Sequence, residues 1–79
     1  MRIRFFAHLT TVTGCESIEL APAAALSTDQ LWAALLEKFP ALAGHRPSVR
    51  LARNFEYADA AAQFNPTDEV ALIPPVSGG

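Results

Sequence analysis

Gly78 and Gly79 are the last two residues of the sequence and the pair best suited to chemistry at the chain terminus. Because glycine has no Cβ atom, two consecutive glycines can pass through a narrow slot and carry the terminal carboxylate deep into another protein. A carboxylate is a poor electrophile, so it reacts only after a partner activates it, for example as an acyl-adenylate. The residues alone leave two interpretations of the pair: a terminus that presents the Gly79 carboxylate to an activating partner past the small Gly78, or a frayed chain end.

Pro74 and Pro75 determine how these glycines are presented. A proline ring restricts φ and favours an extended chain, so we expect Val76 and Ser77 to follow a stiff spacer. Neither proline can donate a backbone hydrogen bond, which predicts that the preceding strand ends there. We expect residues 74–79 to form a projecting tail that contacts a partner.

The other reactive side chains lack the spacing of a catalytic or metal site. His8 and His45 are far apart in the sequence, with no cysteine or carboxylate at ligand spacing, so both are expected to be surface or turn residues. Cys15 has no basic neighbour and is expected to pack as a small apolar residue. Because no GxGxxG or Walker spacing occurs, we expect the chain itself to bind no nucleotide, metal or other cofactor.

Length and composition limit the class of protein. The 79 residues suffice for a single domain over 1–79, and 51% hydrophobic with 18% charged residues is a globular composition. A formal net charge of −2 offers no basic face for phosphates, so we expect no nucleic-acid partner. One cysteine, and no stretch near the roughly 20 apolar residues of a membrane helix, predict a cytoplasmic protein without membrane contact.

Apolar residues that alternate with period two predict the strands. Residues 2–9 predict the first strand, and residues 16–20 predict a second one after a turn at Thr13-Gly14, as in an antiparallel hairpin. Further strands are expected around 49–52, 55–57 and 69–73, with irregular structure over 58–67. Phe6 departs from the pattern, because it places a large apolar side chain on the otherwise polar face of the first strand.

One amphipathic helix is predicted between these strands. Ser27 is a favourable N-cap, and Gln30 stands three residues later as its capping-box partner. Five apolar side chains share an arc of about 140° on the helix: Leu31, Trp32, Leu35, Leu36 and Phe39. Pro40 ends the helix, and a loop is expected around Gly44 and Pro47.

This order of elements predicts an α+β protein with a β-grasp (ubiquitin-like) roll, in which a mixed four- to five-stranded sheet packs on one main helix. The first and last strands would then be parallel neighbours at the sheet centre. Phe6 and Ile73 would emerge on the face opposite the helix, and Tyr57 would join them if its strand has the matching register. Contiguous exposed apolar residues are typical of a protein-binding site, which is how we interpret these three.

The two ends of the chain resemble a known family. The closing DEVALIPPVSGG and the opening RIRFFAHL, with paired phenylalanines and a following alanine, are similar to the small subunits of molybdopterin synthase, the sulfur carriers of molybdenum cofactor synthesis. The resemblance runs the length of the chain and is strongest at its ends. The combination of TDEV with an apolar residue and Pro-Pro-Val-Ser-Gly-Gly is its most specific part.

The resemblance implies a sulfur carrier that is not an enzyme by itself. An E1-like adenylyltransferase, using ATP and Mg, would adenylate the Gly79 carboxylate, and a sulfur donor protein would convert the adenylate to a thiocarboxylate. The carrier would then dock through Phe6, Tyr57 and Ile73 on the large subunit, where the sulfur passes to a pterin precursor. Tyr57 and Ile73 differ from the family in residue type but keep apolar area. The family's synthase is a heterotetramer of two large and two small subunits.

Three alternatives stay open on the sequence. A carrier for thiamine or cysteine synthesis would share the fold and the glycine tail, although thiamine carriers usually lack the Pro-Pro spacer. A ubiquitin-like modifier would instead be attached to lysines through Gly79. A β-grasp interaction module with incidental glycines would tolerate deletion of Gly79.

Overall fold

The computed structural model describes residues 1–75, which form seven β-strands and two α-helices. The strands are β1 (Arg2–Phe5), β2 (Ser17–Glu19), β3 (Leu26–Ser27), β4 (Arg50–Arg53), β5 (Glu56–Tyr57), β6 (Gln63–Phe64) and β7 (Glu69–Ile73). The helices are α1 (Leu9–Thr13) and α2 (Thr28–Lys38), and two 3-10 turns follow at Pro40–Gly44 and Arg46–Ser48. The predictions for Val76, Ser77, Gly78 and Gly79 lie outside the described residues.

Five strands form one mixed sheet in the order β2-β1-β7-β4-β5. β1 and β7 are parallel, with Arg2 opposite Glu69 and Phe5 opposite Leu72, while the other neighbours are antiparallel. The first and last strands thus lie side by side, and β7 occupies the centre of the sheet. With α2 packed on one face, this arrangement confirms the predicted α+β, ubiquitin-like β-grasp roll.

The main helix begins and ends where its sequence signals indicate. The Ser27 Oγ accepts a hydrogen bond from the Gln30 N–H at 3.1 Å, and the Gln30 Oε1 accepts one from the Ser27 N–H at 2.9 Å. This capping box satisfies two donors at the N-terminus of α2. The helix ends at Lys38, with Phe39 as its C-cap immediately before Pro40.

The core lies between α2 and the sheet. Phe5 and Phe39 meet edge to face, with ring centroids 5.5 Å apart, and join the central strands to the end of the helix. Each large apolar side chain buried here contributes about 1.5–3 kcal/mol. The largest of the fully buried side chains are Ile3, Leu9, Leu31, Leu35, Leu42, Phe64, Val70 and Leu72.

The first strand is shorter than predicted. It ends at Phe5, Ala7 turns the backbone with a φ of 53°, and Leu9 begins α1 instead of extending the strand. A helical turn still buries Leu9 completely, so packing overrides the weak helix propensity of three threonines and a valine. Gly14, with a φ of 76°, caps this helix, so β1 and β2 are joined by a helix and not by a tight turn.

Two segments predicted as irregular contain ordered elements. The expected loop after Pro40 forms the two 3-10 turns, and its Leu42 side chain is fully buried. Within 58–67, β6 pairs antiparallel with β3 and buries Phe64 opposite Leu26. Strands of two residues are too short to produce a periodic pattern, so the sequence carries no signal for them.

None of the helices within residues 1–75 is long and apolar enough to cross a membrane.

Candidate partner-binding surface

The sheet has one face without a helix, which we call the open face. Along β7, Val70 and Leu72 point to α2 and are buried, whereas Ala71 and Ile73 point to the open face and are half-buried. This alternation follows from the period of two in a strand. Since β7 is central, its outward side chains lie in the middle of the open face.

A hollow of about 280 Å³ occupies this face. Ala52 and Ala71, which are opposite each other in the β4–β7 register, form its floor, and larger side chains surround them. Because alanine side chains are short, the floor lies below the surrounding rings and produces the concavity. We call it the open-face hollow, and its eight lining residues are Arg4, Phe6, Ala52, Phe55, Tyr57, Glu69, Ala71 and Ile73.

Charged side chains border the hollow and contact its aromatic rings. The Arg4 guanidinium lies 3.6 Å from the Glu69 carboxylate and 5.1 Å from the centre of the Phe6 ring. Arg50 stacks on Tyr57 with 3.8 Å between its guanidinium and the ring centre. Exposed cation–π contacts of this kind contribute about 0.5–1 kcal/mol each, so these rings are held by local contacts while staying accessible.

Phe6, Tyr57 and Ile73, which the sequence singled out, all line the open-face hollow. Phe6 is 38% exposed and Tyr57 is 59% exposed. Phe55 was not singled out, yet it is 84% exposed and lines the same hollow. It was predicted to begin a strand, but it lies in the turn before β5. The turn residue Asn54 directly before it was the available signal.

β7 leads from the hollow towards the chain terminus. It ends at Ile73, after which Pro74 is buried and Pro75 is exposed. This is where the missing N–H donors of the two prolines were predicted to stop the strand. Four residues follow Pro75, and an extended chain of that length spans at most about 14 Å. A partner that acts on Gly79 must therefore approach close to the end of β7.

A polar network fixes the turn beside the hollow to the start of β7. The Asp68 carboxylate accepts hydrogen bonds from the Asn65 backbone N–H at 2.7 Å and from the Asn54 side-chain amide at 3.0 Å. The Asn54 side-chain oxygen in turn accepts from the Glu69 N–H at 3.0 Å. The Asn65 hydrogen bond, helped by Asn54, lowers the pKa of the buried Asp68 carboxyl despite the opposing effect of desolvation.

The histidines lie closer together than their sequence positions suggest. The rings of His8 and His45 have centroids 5.4 Å apart, because α1 packs against the first 3-10 turn. Across residues 1–75, no group of three His, Cys, Asp or Glu side chains is arranged to hold a metal ion. Cys15 is half-buried against the core, with its Sγ 3.8 Å from the Thr13 backbone oxygen, as expected for a packed thiol.

The chain is similar to proteins of known family along its whole length. Residues 3–79 match the ThiS family. A relative from Arabidopsis thaliana is 35% identical over 79 residues, covering all of this chain and 82% of that protein. A human relative is 32% identical over 82 residues, covering all of this chain and 93% of that protein. Both relatives are named molybdopterin synthase sulfur carrier subunit.

Solved structures share the fold. Small archaeal modifier protein 1 from Haloferax volcanii has 29% identity and a TM-score of 0.85, covering 100% of this chain and 98% of that one. One chain in a complex of subunits 1 and 2 of molybdopterin-converting factor from Helicobacter pylori has 22% identity and a TM-score of 0.64, covering 99% and 96%. At that identity, the second likeness bears on the fold alone.

Proposed function

The chain belongs to the ThiS family, and from this premise we propose that it is the sulfur carrier subunit of molybdopterin synthase, serving molybdenum cofactor synthesis. The observation that carries the proposal is the similarity, over the entire chain, to the Arabidopsis and human sulfur carrier subunits. The central strand that leads from an apolar hollow to a Gly-Gly terminus is consistent with it.

The reacting group in this proposal is the Gly79 carboxylate. An E1-like enzyme, which uses ATP and magnesium, joins the carboxylate to AMP and releases pyrophosphate. Sulfur supplied by a donor protein then replaces AMP at the carbonyl carbon and leaves a thiocarboxylate. This chain supplies the terminus and a docking surface, while its partners supply the catalytic residues. The proposed location is the cytoplasm, where ATP is available and Cys15 stays reduced.

The proposed partner in sulfur transfer is the large subunit of the synthase. The Arabidopsis and human relatives are named as subunits of molybdopterin synthase, and we propose that this chain assembles with the large subunit in the same way, as a heterotetramer. Phe6, Tyr57 and Ile73 would provide apolar contacts at the open-face hollow. Residues 74–77, comprising both prolines, Val76 and Ser77, would then carry Gly78 and Gly79 into the large subunit's active site.

The test is the intact mass of the chain after incubation with ATP, magnesium, an E1-like adenylyltransferase and a sulfide source. We expect a mass gain equal to the replacement of one oxygen by one sulfur, located at Gly79 by fragmentation. Addition of the large subunit and the pterin precursor should reverse the gain and form the dithiolene product.

A variant lacking Gly79 is the matched control, because it keeps every described residue. It should show no mass gain, and it should still bind the large subunit through the open face. An unchanged mass of the full chain with an activating enzyme that modifies a known carrier would contradict the proposed function. Transfer of the sulfur to a thiamine or cysteine precursor, and not to the pterin, would assign the carrier to another pathway.

Protein modification is a second candidate function. It is favoured by the 29% identity and TM-score of 0.85 to small archaeal modifier protein 1 of Haloferax volcanii. The initial adenylation would be the same, but Gly79 would end in an isopeptide bond to a lysine of another protein. Mass spectrometry of lysine peptides that carry the Gly78-Gly79 remnant distinguishes this outcome from a thiocarboxylate.

A further inference from the structure

The turn between β4 and β5 contains Phe55, a residue whose presence there does not stabilise the free chain. Arg53 of β4 lies opposite Glu56 of β5 in the strand register, so Asn54 and Phe55 form a two-residue hairpin loop. Their φ angles are 50° and 71°, the positive values of a type I′ hairpin turn. Such turns favour Asn followed by Gly, and here Phe55 occupies the glycine position.

Phe55 is unfavourable there for two physical reasons. A bulky side chain in the left-handed region crowds its own backbone, which glycine avoids. In addition, the side chain is 84% exposed, so it gains little from burial within this chain. A residue that breaks a local rule without a gain in the free protein indicates a function elsewhere.

Phe55 stands on a turn that hydrogen bonds join to β7, at the border of the open-face hollow. The Asn54 side-chain Nδ2 donates to the Asp68 carboxylate, and its Oδ1 accepts from the Glu69 N–H. The Asn54 backbone N–H donates to the Glu69 backbone oxygen at 2.8 Å. The turn is therefore held against β7. Phe55 lines the open-face hollow, so its ring adds to the apolar surface around β7. A ring presented from a fixed turn loses little freedom on binding.

The open-face hollow connects this ring to the end of the chain. The β4–β5 turn lies beside Glu69 at the start of β7 and the tail leaves from Ile73 at its end, but Phe55 and Ile73 line the same hollow. A protein that receives the tail and binds along the hollow therefore also covers the Phe55 ring. We propose that Phe55 is an anchor residue for the large subunit of molybdopterin synthase, which receives its ring in an apolar pocket. The inference rests on the proposed function and extends its docking surface to the β4–β5 turn.

The test compares Phe55→Gly and Phe55→Asn with wild type in binding to the purified large subunit, by calorimetry, and in thermal unfolding of the free chain. Both substitutions suit a positive φ and remove the ring. We expect each to weaken binding about 10- to 30-fold, as for an aromatic hot spot. We expect Phe55→Gly to leave the melting temperature unchanged or raise it by up to about 4 °C.

Two further variants provide controls. Phe55→Tyr keeps the ring and should bind within about threefold of wild type. Glu37→Ala, on the exposed side of α2, should bind as wild type does. A dissociation constant of Phe55→Gly within twofold of the wild-type value would overturn the inference. Weaker binding together with a lower melting temperature would also overturn it, because Phe55 would then support the fold of the free chain. A wild-type chain that forms a thiocarboxylate but does not bind the large subunit overturns the Phe55 assignment and leaves the carrier chemistry standing.

Discussion

At the scale of single residues, Asn54 and Asp68 show which structural roles can and cannot be predicted from the sequence. Asn54 can be recognised as a turn residue from its own chemistry, since asparagine tolerates a positive φ. Its partner Asp68 was not identified, because the hydrogen bond joins residues that are 14 positions apart. Phe55 was missed for a related reason, since the exposure of a turn residue depends on what the fold brings near it.

Asp68→Asn should destabilise the protein by about 1–3 kcal/mol at pH 7, because the Asn65 N–H loses its carboxylate acceptor. The folded pKa of Asp68 lies below its unfolded value of about 3.9, so its stabilisation is present above that value and is lost as the pH falls through the folded pKa. Urea unfolding at pH 7 and at about pH 3 should therefore show a smaller difference from wild type at the lower pH.

Asp29→Asn is the control for this substitution. Asp29 pairs with Arg46 at the surface, and its side chain is well exposed, so its removal should cost no more than about 1 kcal/mol. Equal stabilities of Asp68→Asn and wild type at pH 7 would show that the network contributes nothing.

At the scale of elements, the strength of the local signal decided what could be predicted. α2 has an N-cap, a capping-box partner, a continuous apolar face and a terminating proline, and β7 has alternation followed by two prolines. Both were predicted closely. α1, β3 and β6 are short and gain their stability from tertiary packing, as the buried Leu9 and Phe64 show. Their own sequences therefore carried little information.

Ser27→Ala should lower the free energy of unfolding by about 1 kcal/mol, because the Gln30 N–H loses its acceptor at the start of α2. The loss corresponds to a melting temperature lower by about 4–8 °C in a domain of this size. Scanning calorimetry measures it directly. Ser27→Thr keeps the hydroxyl acceptor and should stay close to wild type; a similar loss in both variants would mean that the cap is not the cause.

At the scale of the whole molecule, part of the candidate surface followed from topology. Once β1 and β7 are taken as parallel neighbours, Phe6 and Ile73 must emerge on the same face, and the structure places them there. The depth of the hollow could not be foreseen, because it depends on Ala52 and Ala71 being opposite each other across two strands. An alanine in a strand does not by itself indicate that it forms the floor of a hollow.

The large subunit should stabilise the whole domain if it binds the folded surface and not the unfolded chain. At a free concentration of about 100 times its dissociation constant, it should add about 2.7 kcal/mol. A carrier with charged substitutions at both Phe6 and Ile73, as Phe6→Asp with Ile73→Asp, should lose this gain. Chemical denaturation followed by hydrogen exchange of this chain measures the stabilisation of the wild-type chain and of the doubly substituted chain. An equal increase in stability of both chains on addition of the large subunit would argue against docking at the hollow.

The central position of β7 also has a mechanical consequence. A pull on the C-terminus acts along β7, which is hydrogen-bonded to β1 on one side and to β4 on the other. Both ladders are then loaded in shear, so their bonds must break together and not one after another as in unzipping. The C-terminal residues thus follow a strand that is hydrogen-bonded on both sides.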